Sequence, residues 1–488
     1  MQNQTDKPNV LLICVDNWPG HLLGGAGSNE IFSPTIDQMM DNGISFSECY
    51  STSPMCIPAR RALMTGTTAK THGDRVFQER LTMPENLPTM AQTFGNAGYQ
   101  TYAVGKMHVY PQRDRIGFDE ILICEEGRHH LGMDRDDYEI YLSDKGKTGQ
   151  EQTHGMGVSQ YNVRPWHLDE ELTPTYWAAK QTCRAIQRRN PSKPGFWYCS
   201  FNAPHQPLTP PKCYLDMYKD VDVPEPVIGD WAKDFDNLPY ALKLQQDQYT
   251  HPTGPNAKVL VKKAHHALCT YVDHQIRLII GTLNEQGLTD NTIVMFTSDH
   301  GEMLGTKGMW TKGNMYEESV AIPMIMAGAS IPKGKAVTTP TSLIDLHPTI
   351  LEATGLGAGK DIDRPGENLI QIANSDARDR AILSEYHDGG SITGMFMVRV
   401  GRWKYCYYPG YDPQLFDMED DRLETRDLGT DLAYAETRAQ CHAALFQIVD
   451  ADAANDQAFA DQAMRIEELG GMDAIIAMDD YDFTPVEK

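Results

Sequence analysis

Asp16, Lys106, His108, His205, Asp299 and His300 are the residues of this chain best placed to act together, because each follows closely on a short apolar run. VLLICV (Val10–Val15) leads into Asp16-Asn17, and TIVMFT (Thr292–Thr297) into Ser298-Asp299-His300-Gly301-Glu302. TYAV (Thr101–Val104) leads into Gly105-Lys106-Met107-His108, and FWYCSF (Phe196–Phe201) into Asn202-Ala203-Pro204-His205. Such runs read as strands buried on both faces, and open parallel sheets bind ligands beyond the carboxyl ends of their strands. Separate strands would thus bring carboxylates, imidazoles and an amine to one edge of a sheet. Asp16, Asp299 and His300 form a plausible metal set: carboxylates suit hard cations, and an imidazole tilts the choice towards manganese. Either aspartate alone is better explained as a helix cap. The pair with His300 favours a metal.

Cys56 stands in Ser53-Pro54-Met55-Cys56-Ile57-Pro58-Ala59-Arg60. A helix is expected from Pro58 or just after, which puts the cysteine at a positive helix end beside Arg60, where an anion is also welcome. The commoner fate of a cysteine is a buried structural thiol.

The elements that must position these groups alternate. Helices are expected over Ser33–Gly43 (Ser33 capping, Pro34 first, Gly43 past the end), Leu87–Gly98, Leu172–Arg189 and Lys258–Gln286. A further strand is expected over Ser45–Ser51. Strands alternating with helices imply an α/β fold with a mostly parallel sheet flanked by helices. Cys124–Arg164 and Asn202–Pro255 interrupt the rhythm and read as long surface excursions. From Ala381 the pattern changes. Phe396–Val400 and Trp403–Tyr408 read as an antiparallel hairpin, and Leu432 to Met478 as a helical acidic tail. The expected organisation is a catalytic unit over 1–380 and a smaller antiparallel subdomain over 381–488.

Composition narrows the function. The 488 residues are 41% hydrophobic and 23% charged, which is ordinary for a globular protein, with a formal net charge of -24. Such an acidic chain repels nucleic acid and anionic membrane, so a small anionic substrate would need a locally basic pocket. No apolar stretch reaches the roughly 20 residues of a membrane span. The polar start and the shortness of the first apolar run argue against a signal peptide. The 10 cysteines include no CxxC pair. The expectation is a cytoplasmic protein in a reducing compartment.

Cys56–Gly66 fits C-x-P-[SA]-R-x-x-[LM]-x-[ST]-G throughout. In this the chain resembles the formylglycine-dependent sulfatases. Gly105-Lys106-Met107-His108, Ala203-Pro204-His205 and Trp310-Thr311-Lys312 resemble further motifs of that family, and the likeness runs as far as Tyr405–Asp417. The resemblance implies an alkaline-phosphatase-like core with a small C-terminal antiparallel sheet. It implies a formylglycine-generating enzyme that oxidises Cys56 to an aldehyde, and one divalent ion (Mn or Ca) on Asp16, Cys56, Asp299 and His300. The hydrated aldehyde attacks sulfur. Arg60, Lys106 and Lys312 stabilise the sulfuryl charge, His205 with Lys312 protonates the leaving oxygen, and His108 takes the proton that lets sulfate leave. Two departures stand out. Asn17 replaces a common Asp and is assigned to the substrate side or to a supporting position. His300 replaces a common Asn, as in choline sulfatases and phosphonate monoester hydrolases. His387 is as readily structural as pocket-lining. The implied activity is an arylsulfatase-like hydrolysis of sulfate monoesters. The alternative is a phosphonate monoester or phosphodiester hydrolase using the same groups. A catalytically dead binding protein is disfavoured by the intact motifs. Neither the alcohol half of the substrate nor a homo-oligomeric state can be read.

Overall fold

The computed structural model describes residues 7–248, 252, 254–357, 362–375, 379–388 and 390–477. Most of the expected polar start and the end of the expected tail at Met478 lie outside them.

A nine-stranded sheet forms the centre. Its strands are β1 (Asn9–Asp16), β2 (Gly43–Tyr50), β3 (Gln100–Gly105), β4 (Glu120–Ile123), β5 (Gly195–Pro204), β6 (Thr292–Ser298), β7 (Ala321–Gly328), β8 (Lys335–Val337) and β9 (Thr341–Ser342). They lie in the order β4-β3-β5-β1-β6-β7-β2-β8, with β9 also on β2. Only β7 runs antiparallel to its neighbours β6 and β2; the other pairings are parallel. Alternate side chains of β1 serve two cores, as the two-residue period of a strand requires. Leu11, Ile13 and Val15 pack with the Pro174–Gln187 and Pro255–Glu285 helices. Val10, Leu12 and Cys14 pack with the Cys56–Thr65, Met90–Asn96 and Leu346–Ala353 helices. Both faces are therefore apolar, and β1 is buried along its whole length.

A separate antiparallel sheet joins β10 (Ala381–Tyr386), β11 (Met395–Val400), β12 (Trp403–Tyr407) and β13 (Gln414–Asp417) in sequence order. Its outer face carries the Ala435–Ile448 helix. Its inner face shares a core with Tyr50 of β2 and with Met55, Met303 and Tyr316 from loops of the main unit. The helical tail continues over Ala451–Glu468 and Met472–Ala477. Among the described residues, no helix is long and apolar enough to cross a membrane.

Some expectations need correction. The Cys56 helix starts at Cys56 itself, two residues before the expected Pro58; the first turn of a helix tolerates proline because its N–H groups have no intrahelical partner. Ser33 precedes the Pro34–Asp41 helix but its hydroxyl does not cap it, since it donates to Asp37 Oδ1 at 2.9 Å. The expected Leu87–Gly98 helix is shorter. It starts after Thr89, which forms a capping box with Gln92, and spans Met90–Asn96.

Candidate active site

β3, β5, β1 and β6 are consecutive in the sheet, and their carboxyl ends supply the site. Asp16 closes β1, while Asp299 and His300 follow β6 directly. β3 ends at Gly105 with φ +102°, where a Cβ would meet Ser200 O at 1.8 Å. Only glycine permits that close crossing. Past it, Lys106 and His108 turn into the site.

Cys56 is the first residue of its helix, and all ten residues of that helix are buried. Arg60 sits one turn later on the same face. Its Nε donates to Asp299 Oδ2 at 2.8 Å, its Nη2 to Asp16 Oδ2 at 3.3 Å, and its Nη1 to Ser200 Oγ at 2.6 Å. Lys106 Nζ lies 2.7 Å from Asp16 Oδ2. Each aspartate thus turns one oxygen to a cation and the other inward. Cys56 Sγ is 3.7 Å from Asp16 Oδ1 and 3.2 Å from His300 Nε2. His300 Nε2 lies 3.5 Å from Asp16 Oδ1 and 3.7 Å from Asp299 Oδ1.

The residues present fit a divalent ion. One donor atom from each of Asp16, Cys56, Asp299 and His300 falls within 4.8 Å of the others, and all four residues are buried. His300 Nδ1 donates to Gly301 O at 3.0 Å, so Nε2 is the ring nitrogen that faces the cluster. Burial opposes charge on His300, yet Asp299, Cys56 and Asp16 outweigh it and raise its pKa to about 9. The cluster attracts positive charge. Burial works against the Asp16 carboxylate, but Lys106, with His205, His300 and Arg60, holds it well below the usual range.

His205 and Lys312 form a pair, Nζ to Nε2 at 2.7 Å. His205 Nδ1 donates to Gln206 O at 2.8 Å, so Nε2 accepts from the lysine. Burial, followed by the Lys312 charge, lowers the pKa of His205 to about 3. Burial and the cations of Arg128 and Lys106 likewise hold His108 well below its ordinary value. Neither ring nitrogen of His108 has a hydrogen-bond partner. Both imidazoles are therefore neutral.

Asn17 has φ +68°, and its buried Oδ1 has no hydrogen-bond partner. Its Nδ2 donates to Glu302 Oε2 at 2.9 Å and Gln206 Oε1 at 3.3 Å. It braces the two loops after β5 and β6. His387 is not brought among these groups. It stacks edge-on with Phe396 and lines a different cavity of about 820 Å³, between residues 73–81 and the Ala451–Glu468 helix.

The site also contains a residue the sequence reading missed. Glu126 lies 2.9 Å from Lys106 Nζ, 3.4 Å from Arg128 Nη2, 3.7 Å from His108 Nε2 and 3.9 Å from His205 Nδ1. It follows β4, an edge strand only partly buried. Glu125-Glu126 after that strand is the same signal as Asp16 after β1, and it becomes visible once β4 is recognised.

Residues 8–356 match the family model described as "Sulfatase". Residues 305–451 match "N-sulphoglucosamine sulphohydrolase, C-terminal". An arylsulfatase of Clostridium perfringens is 33% identical over 88% of this chain and 92% of its own length. A choline-sulfatase of Rhizobium meliloti is 29% identical over 87% of this chain and 83% of its own. In fold, the chain is similar to the phosphonate monoester hydrolase of Agrobacterium radiobacter, with a TM-score of 0.78 at 21% identity, over 90% of this chain and 95% of that one. The chain belongs to the sulfatase family of the alkaline phosphatase superfamily, and is a hydrolase of sulfuric esters.

Proposed function

We propose that the chain hydrolyses sulfate monoesters through residue 56 after its thiol is oxidised to formylglycine, and that its single metal ion is manganese or calcium. The observation that carries this reading is the convergence of Asp16, Asp299 and His300 on Cys56 at the start of a buried helix. The Sγ atom marks where the hydroxyls of the hydrated aldehyde would stand. A divalent ion held by these residues supplies Lewis-acid charge that makes a nearby hydroxyl a nucleophile at neutral pH. His300 offers nitrogen, so manganese restores chelated enzyme at least as well as calcium.

The remaining roles belong to the chain's own side chains. Arg60 holds Asp16 and Asp299 apart and in place. Lys106 and Lys312 grip the sulfuryl oxygens as charge develops on them. Lys312 hands a proton to the leaving oxygen, and His205, neutral and hydrogen-bonded to it, fixes its position. His108, neutral and with no hydrogen bond at either ring nitrogen, accepts the proton of the second hydroxyl, and the adduct at residue 56 then expels sulfate and returns to the aldehyde. Asn17 braces this arrangement through Glu302 and Gln206. His387 belongs to the neighbouring cavity, where it would touch only the distal part of a substrate. Residues 1–380 would form the catalytic unit, with 381–488 docked on it. Ten free cysteines support a cytoplasmic location.

The test joins mass spectrometry of the Cys56 peptide to kcat/KM on matched aryl esters. An aldehyde at residue 56 and a preference for the sulfate are expected. Full activity with an unmodified thiol sinks the proposal. A faster phosphonate monoester would favour the phosphonate hydrolase reading instead.

A further inference from the structure

Lys106 is fully buried and already meets Asp16 at 2.7 Å, yet a second carboxylate, Glu126, is set on the same ammonium at 2.9 Å and 3.0 Å. That carboxylate also faces His108, His205 and Arg128. Each group round Glu126 is either cationic or an imidazole, the environment that a monoanionic sulfate would also choose. The site is closed around it: Cys56 is 2% exposed, and the Glu126 side chain 7%. We propose that Glu126 is an internal occupant of the sulfate-binding cradle, a carboxylate that the sulfate group of the substrate must displace and that returns to evict the product.

The inference rests on the reading of Lys106 as a sulfate-gripping residue. Asp16 and Glu126 already share the Lys106 ammonium, so a sulfate there would be a third anion in a low-dielectric site, and Glu126 and sulfate compete for the same place. His108 and His205, both neutral, add no charge to help Lys106 hold the two together. The backbone is suited to a swing. Glu126 has φ +60° and Gly127 φ +69°, and a non-glycine residue in that region stores strain that leaving it would release. Such an occupant makes the cradle selective. A ligand enters only if it binds the cations better than the tethered carboxylate does, and product sulfate meets a competitor at full local concentration.

The experiment titrates inorganic sulfate into the full-length, manganese-loaded protein by calorimetry, for the native chain, Glu126→Gln and Glu126→Asp. Glu126→Gln keeps the shape and removes the charge. Sulfate should then bind about tenfold more tightly, the effect of removing an occupant that holds the cradle about nine-tenths of the time. Glu126→Asp, which draws the carboxylate back by one methylene, should fall between the two and keeps the test open if the glutamine variant misfolds. In turnover of an aryl sulfate, product inhibition should strengthen with the same ranking. Unchanged or weaker sulfate binding in the variants, with native turnover intact, overturns the occupant and leaves the sulfatase reading standing. No sulfate binding and no turnover in any of the three proteins overturns both.

Discussion

Charge is buried in this molecule both at the carboxyl ends of β1, β3 and β6 and beneath the antiparallel sheet, and the two places handle it differently. Under the sheet, Lys404 reaches Glu317 at 2.9 Å and Glu424 at 2.7 Å, while Lys307 reaches Glu318 at 2.7 Å and Glu424 at 3.0 Å. Glu424 turns one oxygen to each lysine. The network is closed, and its members come from both the main unit and the C-terminal sheet. At the strand ends, Asp16 and Asp299 each turn only one oxygen to a cation. Their other oxygens converge with His300 on Cys56. A closed network marks a joint. An open one marks a place where something else must bind.

The sharpest way to break the comparison is to remove one group from each network and measure turnover and melting together. Cys56→Ala should lose at least about a thousandfold in kcat with little change in melting temperature. Lys404→Met should do the reverse. It leaves buried Glu317 and Glu424 without one of their cations and should cost about 3–5 kcal/mol of stability, while the molecules that remain folded keep their kcat. A large loss of stability in Cys56→Ala would mean that the site too is a joint.

Metal removal sharpens the same contrast. Chelation should lower the melting temperature of the native chain, and manganese at about 100 times its dissociation constant should restore about 2.7 kcal/mol. Asp16→Asn should lose that metal-dependent gain. Glu424→Gln should retain it from a lower baseline. His300→Asn should shift the preference from manganese towards calcium, read as the ratio of the two restored activities.

The smallest expected effect is in acid. Burial works against the Glu317 carboxylate, but Lys404 outweighs it and keeps its pKa below the ordinary 4.5. A lowered carboxylate pKa adds stability that is present above the unfolded value and is lost as pH falls through the folded one. Glu317→Gln should therefore be less stable than the native chain at pH 7, and the gap in melting temperature should narrow below about pH 4.5. A gap independent of pH would mean that the ion pair contributes nothing there.

The readable parts of the structure share a physical cause. β1, β5 and β6 are buried on both faces, so they appear as unbroken apolar runs, and the first polar residue after each one marks the site. β4 is short and partly exposed at the sheet edge, so it has no such run, and Glu126 beyond it stayed hidden. β7 is apolar throughout its core-facing length but holds Pro323, and its antiparallel direction cannot be read from composition. The bracing role of Asn17 has no local signal, because its partners Glu302 and Gln206 come from loops that only the fold brings together. The closed network was illegible for the same reason: residues 307, 317, 404 and 424 come from separate segments that only the fold brings together.

The complete burial of the Cys56–Thr65 helix bears on how the enzyme is made. An oxidising enzyme that acts on Cys56 has to hold the residues around it, and in the finished fold that segment lies under the sheet with no edge to grasp. β1 is flanked by β5 and β6, which are synthesised much later, so the cavity round Cys56 closes only when nearly the whole catalytic unit has left the ribosome. That delay would be the window for the proposed maturation. Oxidation and folding would race, and conditions that hasten folding would leave more thiol behind. Chain folded first and then offered to the oxidising enzyme should keep its cysteine by mass, whereas chain offered while unfolded should lose it.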